Sequence, residues 1–326
     1  MNQQKNHNTN KPSSDDTTSN SYKRLRKSVR LGCEYVAGSE VLLEGIPSIE
    51  VYKKLLKTGL FTEMEAFSNA FVTKYAKAMK GYSNRWTADS FHLWSREWEY
   101  PFVFSYIQKF VSEYSGRLKV LDAGSGCTFF PYYITHVFPN CQIYCIDNDM
   151  SLFSNFKKIN KTQERVEFSL NDLSLLKYEN DSFDILYCIS VLEHTENPRK
   201  IIGEFNRVLR KDGLLILTFD ISLDNRSQIT IEKASKLLEL IDKQFQSATA
   251  STSEELLRDV NSKNILTTTY TRDFGDKKLL PWRLTWGSMC SKLVNLQIPQ
   301  TPFFDLTVLC NAWQNSRKIT NSLAHI

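Results

Sequence analysis

Three observations predict an α/β fold: a doubly wound, mostly parallel sheet with an antiparallel last strand, preceded by a helical amino-terminal cap. The first is a regular alternation of strand-like apolar runs and helix-like segments between residues 119 and 220. The second is Val120-Leu121-Asp122-Ala123-Gly124-Ser125-Gly126, an apolar run that ends in an acid and is followed by two glycines two apart. The third is a further apolar run, Gln142-Ile143-Tyr144-Cys145-Ile146, ending in Asp147, 21 residues after Gly126. Strand, tight turn, crossover helix and parallel strand in that order place polar groups at strand carboxyl ends, where open α/β sheets bind nucleotides.

Taken in chain order, residues 1–21 form a polar tail with too little apolar content to bury surface, so disorder is expected there. No apolar stretch follows to make it a signal peptide. Residues 22–116 read as the helical cap. Met64, Phe67, Phe71, Tyr75 and Met79 recur at helical spacing, and a second helical stretch starts near Pro101. Strands are expected over 119–123, 142–147, 165–169, 183–188 and 213–220, with helices over 129–138, 149–159 and 197–210. The last of these helices carries Pro198 as a start signal and Asp212-Gly213 as a stop signal. Five strands alternating with helices imply a doubly wound parallel sheet. The domain is expected over 117–326, with a helical and loop insertion at about 222–300, helix over 230–260, and a closing strand over 305–310.

Bulk properties exclude several functions. At 326 residues the chain accommodates one large α/β domain with additions. No apolar run approaches the ~20 residues of a membrane helix. The net charge is +5, yet residues 1–30 hold seven Lys/Arg against two Asp, so the remainder is neutral. A neutral body argues against nucleic acid as the main partner. The seven cysteines are odd in number and lack CxxC spacing. A reduced, cytoplasmic setting is therefore expected, with no metal site.

The glycine turn at 124 and 126 lets the backbone approach a ligand, but the dinucleotide fingerprint requires a third glycine where Phe129 stands. Asp122 at the end of the strand would also repel a pyrophosphate. Both features disfavour a nicotinamide or flavin cofactor, and suit a cationic, phosphate-free ligand such as a sulfonium amino acid.

At this point the chain resembles a known family. VLDAGSG, then CIDND, then LNDLSLLKYENDSFDILYCISVLEH, then NPRKIIGEFNRVLRKDGLLILTFD is similar to the class I S-adenosylmethionine-dependent methyltransferases, over roughly residues 117–221. Thr128 stands where many members carry a further glycine. The resemblance implies a Rossmann-like fold and S-adenosyl-L-methionine as cofactor, released as S-adenosyl-L-homocysteine. It places Asp122, Gly124 and Gly126 under the methionine part of the cofactor and Asp147 on the ribose hydroxyls, a task suited to the two acceptor oxygens of a carboxylate. Asn148 and Asp172 fall at the adenine, with Leu173 offering backbone contacts and Ser190 on the floor between cofactor and acceptor. His194, in Val191-Leu192-Glu193-His194, is the candidate general base, because its imidazole titrates near neutral pH.

The aromatic segment 86–100 supplies the acceptor-site candidates Trp94, Arg96, Trp98 and Tyr100, by stacking or by ion pairing. Trp282 is a further candidate, in a loop between the fifth strand and the last. Packing between cap and sheet is the competing reading for the aromatic residues. The functional expectation is methyl transfer to oxygen or nitrogen of a small molecule, in biosynthesis. The competing readings are an RNA or protein methyltransferase and a non-catalytic binding protein of the same fold.

Overall fold

The computed structural model describes residues 44–83, 89–160, 164–227, 229–249, 251–280 and 303–316. The expectations for the amino-terminal tail, the basic run 22–30, Cys33, Cys290 and Trp282 lie outside these residues.

Among the described residues three helices precede the sheet: α1 (Ile49–Leu55), α2 (Gly59–Ser83) and α3 (Arg96–Ser112). Ser48 starts α1 by accepting a hydrogen bond from the Val51 amide at 3.2 Å, which satisfies one of the free donors of the first turn. The alternation follows: β1 (Leu118–Ala123), α4 (Phe130–Val137), β2 (Cys141–Asp147), α5 (Leu152–Ile159), β3 (Val166–Leu170), β4 (Phe183–Ile189), α6 (Pro198–Val208) and β5 (Leu209–Ser222). The chain continues through α7 (Ile231–Asp242), β6 (Gln246–Ser247), α8 (Ser253–Leu257), α9 (Thr268–Asp273) and β7 (Leu306–Gln314).

The seven strands lie in the order β3-β2-β1-β4-β5-β7-β6. The pairs from β3 to β5 are parallel, and β7 runs antiparallel to β5 from Leu214↔Gln314 to Ser222↔Leu306. The expected sheet and its antiparallel closing strand are therefore present. Successive residues of β1 divide between the two faces. Val120 packs with the α1–α5 residues, including Phe104, Phe129 and Tyr133. Leu121 packs on the other face with Ile202, Phe205 and Leu238 of α6 and α7. Both faces of the central strands are covered, which accounts for their continuous apolar runs.

Three boundaries differ from expectation. The helix expected to reach 210 ends at Val208, because β5 begins at Leu209 without a loop. Asp212-Gly213, read as a helix stop, lies inside β5. There Asp212 has φ +59°, and the pairing with β4 shifts register between Phe183 and Ile185. The segment 230–260 is not one helix: α7 and α8 flank β6, which pairs antiparallel with β7. In addition, no helix among the described residues is long and apolar enough to cross a membrane.

Candidate functional site

A cavity of about 1900 Å³ opens at the carboxyl ends of β1 to β5. It exceeds the ~300–1,000 Å³ of an ordinary small-molecule pocket, so it has room for two ligands side by side. Its lining comes from the turn after β1, the ends of β2, β4 and β5, the loop after β3, and the segment entering α3.

The turn after β1 forms one wall. Gly124 and Gly126 have φ of +75° and +53°, values that side-chain-bearing residues adopt only with strain. A Cβ on Gly124 would lie 2.6 Å from Val191 Cγ2, and one on Gly126 would lie 2.7 Å from the Tyr82 hydroxyl. The loop is tied to the next strand. The Gly124 and Ser125 amides donate to the Ile146 carbonyl, both at 2.9 Å. The Gly126 amide donates to Asp147 Oδ2 at 3.0 Å, and the Asp149 amide donates to Asp147 Oδ1 at 3.0 Å. A carboxylate has about four lone-pair sites, so Asp147 retains acceptor capacity toward the cavity.

Asp122 lies deeper, only 5% exposed. Burial pushes its carboxyl up to about 8, partly offset by the neighbouring Tyr187 hydroxyl. A buried acid with no cation beside it among the described residues is poised to gain from a positively charged ligand. Asn148 and Asp172 are exposed at the mouth, and Leu173 is half-buried beside them. The Ser174 amide donates to Asp172 Oδ1 at 2.8 Å and holds that carboxyl below its ordinary range.

The opposite wall is built around Glu99 of α3, which is fully buried. Its carboxylate accepts from Ser190 Oγ at 2.6 Å, from Ser95 Oγ at 2.7 Å, and from Thr218 Oγ1 and Arg96 Nη1. These contacts outweigh desolvation and hold its carboxyl below the usual value. They also bind α3 to the ends of β4 and β5. Ser190 itself has φ +46°, and its amide donates to the Thr218 carbonyl at 2.9 Å.

Most of the residues expected at a site meet here. Asp122, Gly124, Gly126, Asp147, Asn148, Asp172, Leu173, Ser190, His194, Trp94, Arg96 and Tyr100 all line the cavity. His194 sits exposed on the short 3₁₀ turn Leu192–His194, and its amide donates to the Val191 carbonyl. Arg96 lines the cavity with its guanidinium already paired to Glu99. Trp98 is the exception: it is fully buried in the core under α3 and does not reach the cavity. The packing reading therefore holds for Trp98. His92 is also structural, its Nδ1 2.8 Å from Asp89 and its Nε2 3.1 Å from Glu65; the Asp89 contact leads in pushing its imidazole up to about 9.

Tyr82, Glu193 and Asp220 also line the cavity and Glu99 braces its wall, although none of the four stands out in the sequence as a site residue. For Asp220 a signal existed: it is an acid ending an apolar strand, as Asp122 and Asp147 are. Among the described residues no group of three or more His, Cys, Asp or Glu side chains is placed to hold a metal.

Comparison with known proteins agrees with these features. Residues 121–217 match the family described as "Methyltransferase domain". The chain is 24% identical over 127 residues to the sarcosine/dimethylglycine N-methyltransferase of Aphanothece halophytica, covering 37% of this chain and 45% of that protein. It is 27% identical over 157 residues to a demethylmenaquinone methyltransferase of Leptospira interrogans, covering 46% and 60%. A solved structure of phosphoethanolamine N-methyltransferase 2 of Haemonchus contortus, with S-adenosyl-L-methionine, aligns with TM-score 0.41 and 15% identity, covering 66% of this chain and 52% of that one. The matched regions span 29% and 60% of the first two curated relatives, less than two thirds of each. The region that matches the methyltransferase-domain family, residues 121–217, contains the strand-end motifs that line the cavity.

Proposed function

We propose that this protein transfers the methyl group of S-adenosyl-L-methionine to oxygen or nitrogen of a small-molecule acceptor in a biosynthetic pathway, releasing S-adenosyl-L-homocysteine. One observation carries the reading: a positive-φ glycine turn, closed to any Cβ, whose amide is held by the Asp147 carboxylate at the wall of a cavity large enough for two ligands. The donor set fits the cofactor. Gly124 and Gly126 give backbone access for its methionine part, and Asp122 supplies a buried acid for its cationic amino acid. Asp147 has free lone pairs for a ribose diol, while Asn148, Asp172 and Leu173 stand together at the mouth for the adenine.

When bound, the cofactor supplies an activated methyl group on a sulfonium. The chain's own residues do the rest. They hold the acceptor in line, where positioning alone accounts for much of the acceleration, and they exclude water on the Ser190 and Tyr100 side. His194, on the turn after β4, is proposed as the route by which the acceptor's proton leaves. The small-molecule reading is preferred over RNA or protein because the cap segment 90–100 forms one wall of the cavity and the body of the chain carries no excess positive charge.

The test is incubation with methyl-labelled cofactor and a cell extract fractionated into small molecules, RNA and protein. Label in the small-molecule fraction, with a mass gain of one methylene, is expected. Label confined to RNA or protein would replace this reading with the macromolecular one.

A further inference from the structure

The cavity is strongly acidic. Seven carboxylate side chains and two guanidinium groups line it, and one guanidinium, Arg96, is already paired to buried Glu99. The other, Arg226, is paired to Asp224 at 2.7 Å. Neither pairing uses Glu193, just after β4, or Asp220, in β5, two acids on neighbouring strands that both face Arg96.

Glu193 is only 5% exposed, yet it lines the cavity. Its Oε1 accepts a long bond from the Asp220 amide at 3.4 Å. Its Oε2 and Asp220 Oδ1 are buried and have no hydrogen-bond partner among the described residues. An ionised oxygen left in that state costs several kcal/mol, a cost relieved either by protonation or by a cationic partner bound from outside. The groups facing the pair are Arg96, Glu99 and Trp94 from the segment entering α3, and Cys188 from β4. Only Arg96 is cationic. Position assigns the ligand. The glycine turn, Asp147 and Asp172 stand over the β1–β3 half of the sheet, and Glu193 and Asp220 stand over the β4–β5 half. A molecule held by this pair therefore lies beside the cofactor place rather than in it.

Resting on the methyl-transfer reading, we propose that Glu193 and Asp220 form the recognition site for an ammonium group, so that the acceptor is an amine and the reaction an N-methylation. Ammonium groups bring several donors and a full positive charge, which match two unpartnered carboxylate oxygens. An ammonium nitrogen has no lone pair to offer, so one N–H bond must break before methyl transfer. For an amine acceptor the proton passes to a carboxylate oxygen of the pair rather than to His194, forming an O–H bond and leaving the neutral amine with its lone pair. Burial pushes the Glu193 carboxyl up to about 7 and Asp220 well above the ordinary carboxylate range, which matches both to that task near neutral pH.

The test is ligand-observed NMR and calorimetry on the full chain with matched probes: benzylamine against benzyl alcohol, cyclohexylamine against cyclohexanol, and ethylamine against ethanol. Each pair is measured with and without S-adenosyl-L-homocysteine. Amines are expected to bind at least about tenfold more tightly than their alcohols, the size of a charge-assisted over a neutral hydrogen bond. Glu193→Gln and Asp220→Asn should each remove most of that preference while leaving homocysteine-cofactor affinity within about twofold of wild type. Near-isosteric amides keep the shape, and a thermal melt of each variant separates misfolding from lost recognition. Equal binding of amines and alcohols, binding of no amine, or a preference that survives in both folded variants overturns the proposal. A protein that takes the amines but not S-adenosyl-L-homocysteine keeps the ammonium site and refutes the cofactor reading instead.

Discussion

Glu99→Gln tests how the cavity wall around α3 is held together. The substitution keeps the side chain's shape and removes its charge from a position with no solvent exposure. Three hydroxyls, from Ser95, Ser190 and Thr218, now donate to an ionised oxygen. Turning each charge-assisted bond into a neutral one costs about 1 kcal/mol. The Arg96 guanidinium, with 19% of its side chain exposed, also loses its ion-pair partner, and breaking a buried pair costs about 3–5 kcal/mol in comparable cases. The nearby acids Asp220 and Glu193 take up part of that loss by facing Arg96. The expected destabilisation is therefore about 3–5 kcal/mol, not the sum of the two contributions. Urea unfolding followed by circular dichroism reads it as a lower midpoint at unchanged slope. That loss is a large share of the 5–15 kcal/mol typical of a whole domain. A change below about 1 kcal/mol would mean that Glu99 does not carry the junction between α3, β4 and β5.

Three further outcomes are expected. Gly124→Ala forces a Cβ to within 2.6 Å of Val191 at φ +75° and should cost about 2–4 kcal/mol from backbone strain and overpacking; wild-type thermal stability would contradict the turn geometry. The apo protein should lose stability as pH rises from about 4 to 8, since Asp122 is raised from 3.8 to about 8 and Glu193 from 4.5 to about 7. The folded state then binds more protons than the unfolded one, so unfolding free energy falls with pH. Glu99, whose carboxyl is lowered, acts oppositely and withdraws stability only as pH falls below about 4.5; thermal melts across pH 4–9 read both trends, and a rise in melting temperature from pH 5 to 8 would refute the assignment. Finally, His194→Ala should leave S-adenosyl-L-homocysteine affinity within about twofold, because His194 lies beyond β4 and not on the glycine turn; a large drop in a calorimetric titration would move it into the cofactor site.

Much of the fold was legible because buried parallel strands write themselves as apolar runs closed by an acid or a glycine. Leu118–Ala123 and Cys141–Asp147 fall within one or two residues of their expected places. Asp212-Gly213 misled because a turn pair after an amphipathic segment looks the same whether it ends a helix or bends a strand. Only the pairing of β5 with β7 and β4 decides between the two. The half of the cavity over β1 to β3 was readable from local spacing, since its residues follow those strands in order. The half held together by Glu99 was not. Glu99 lies 91 residues from Ser190 and 119 from Thr218, and nothing local distinguishes a buried acid in Trp94–Tyr100 from an exposed one. Trp98 was singled out with its aromatic neighbours for the same reason, although the helix turns it into the core.

Whether the glycine turn and Asp147 hold the cofactor is tested most directly by a calorimetric titration of S-adenosyl-L-homocysteine into wild type and Asp147→Ala. Saturable binding of one equivalent by the wild type is expected, weakened by about 1–3 kcal/mol, or roughly five- to 150-fold, in the variant, which loses charge-assisted bonds to the ligand and to the Gly126 amide. Absence of binding by the wild type, or the same affinity in both proteins, would contradict the account.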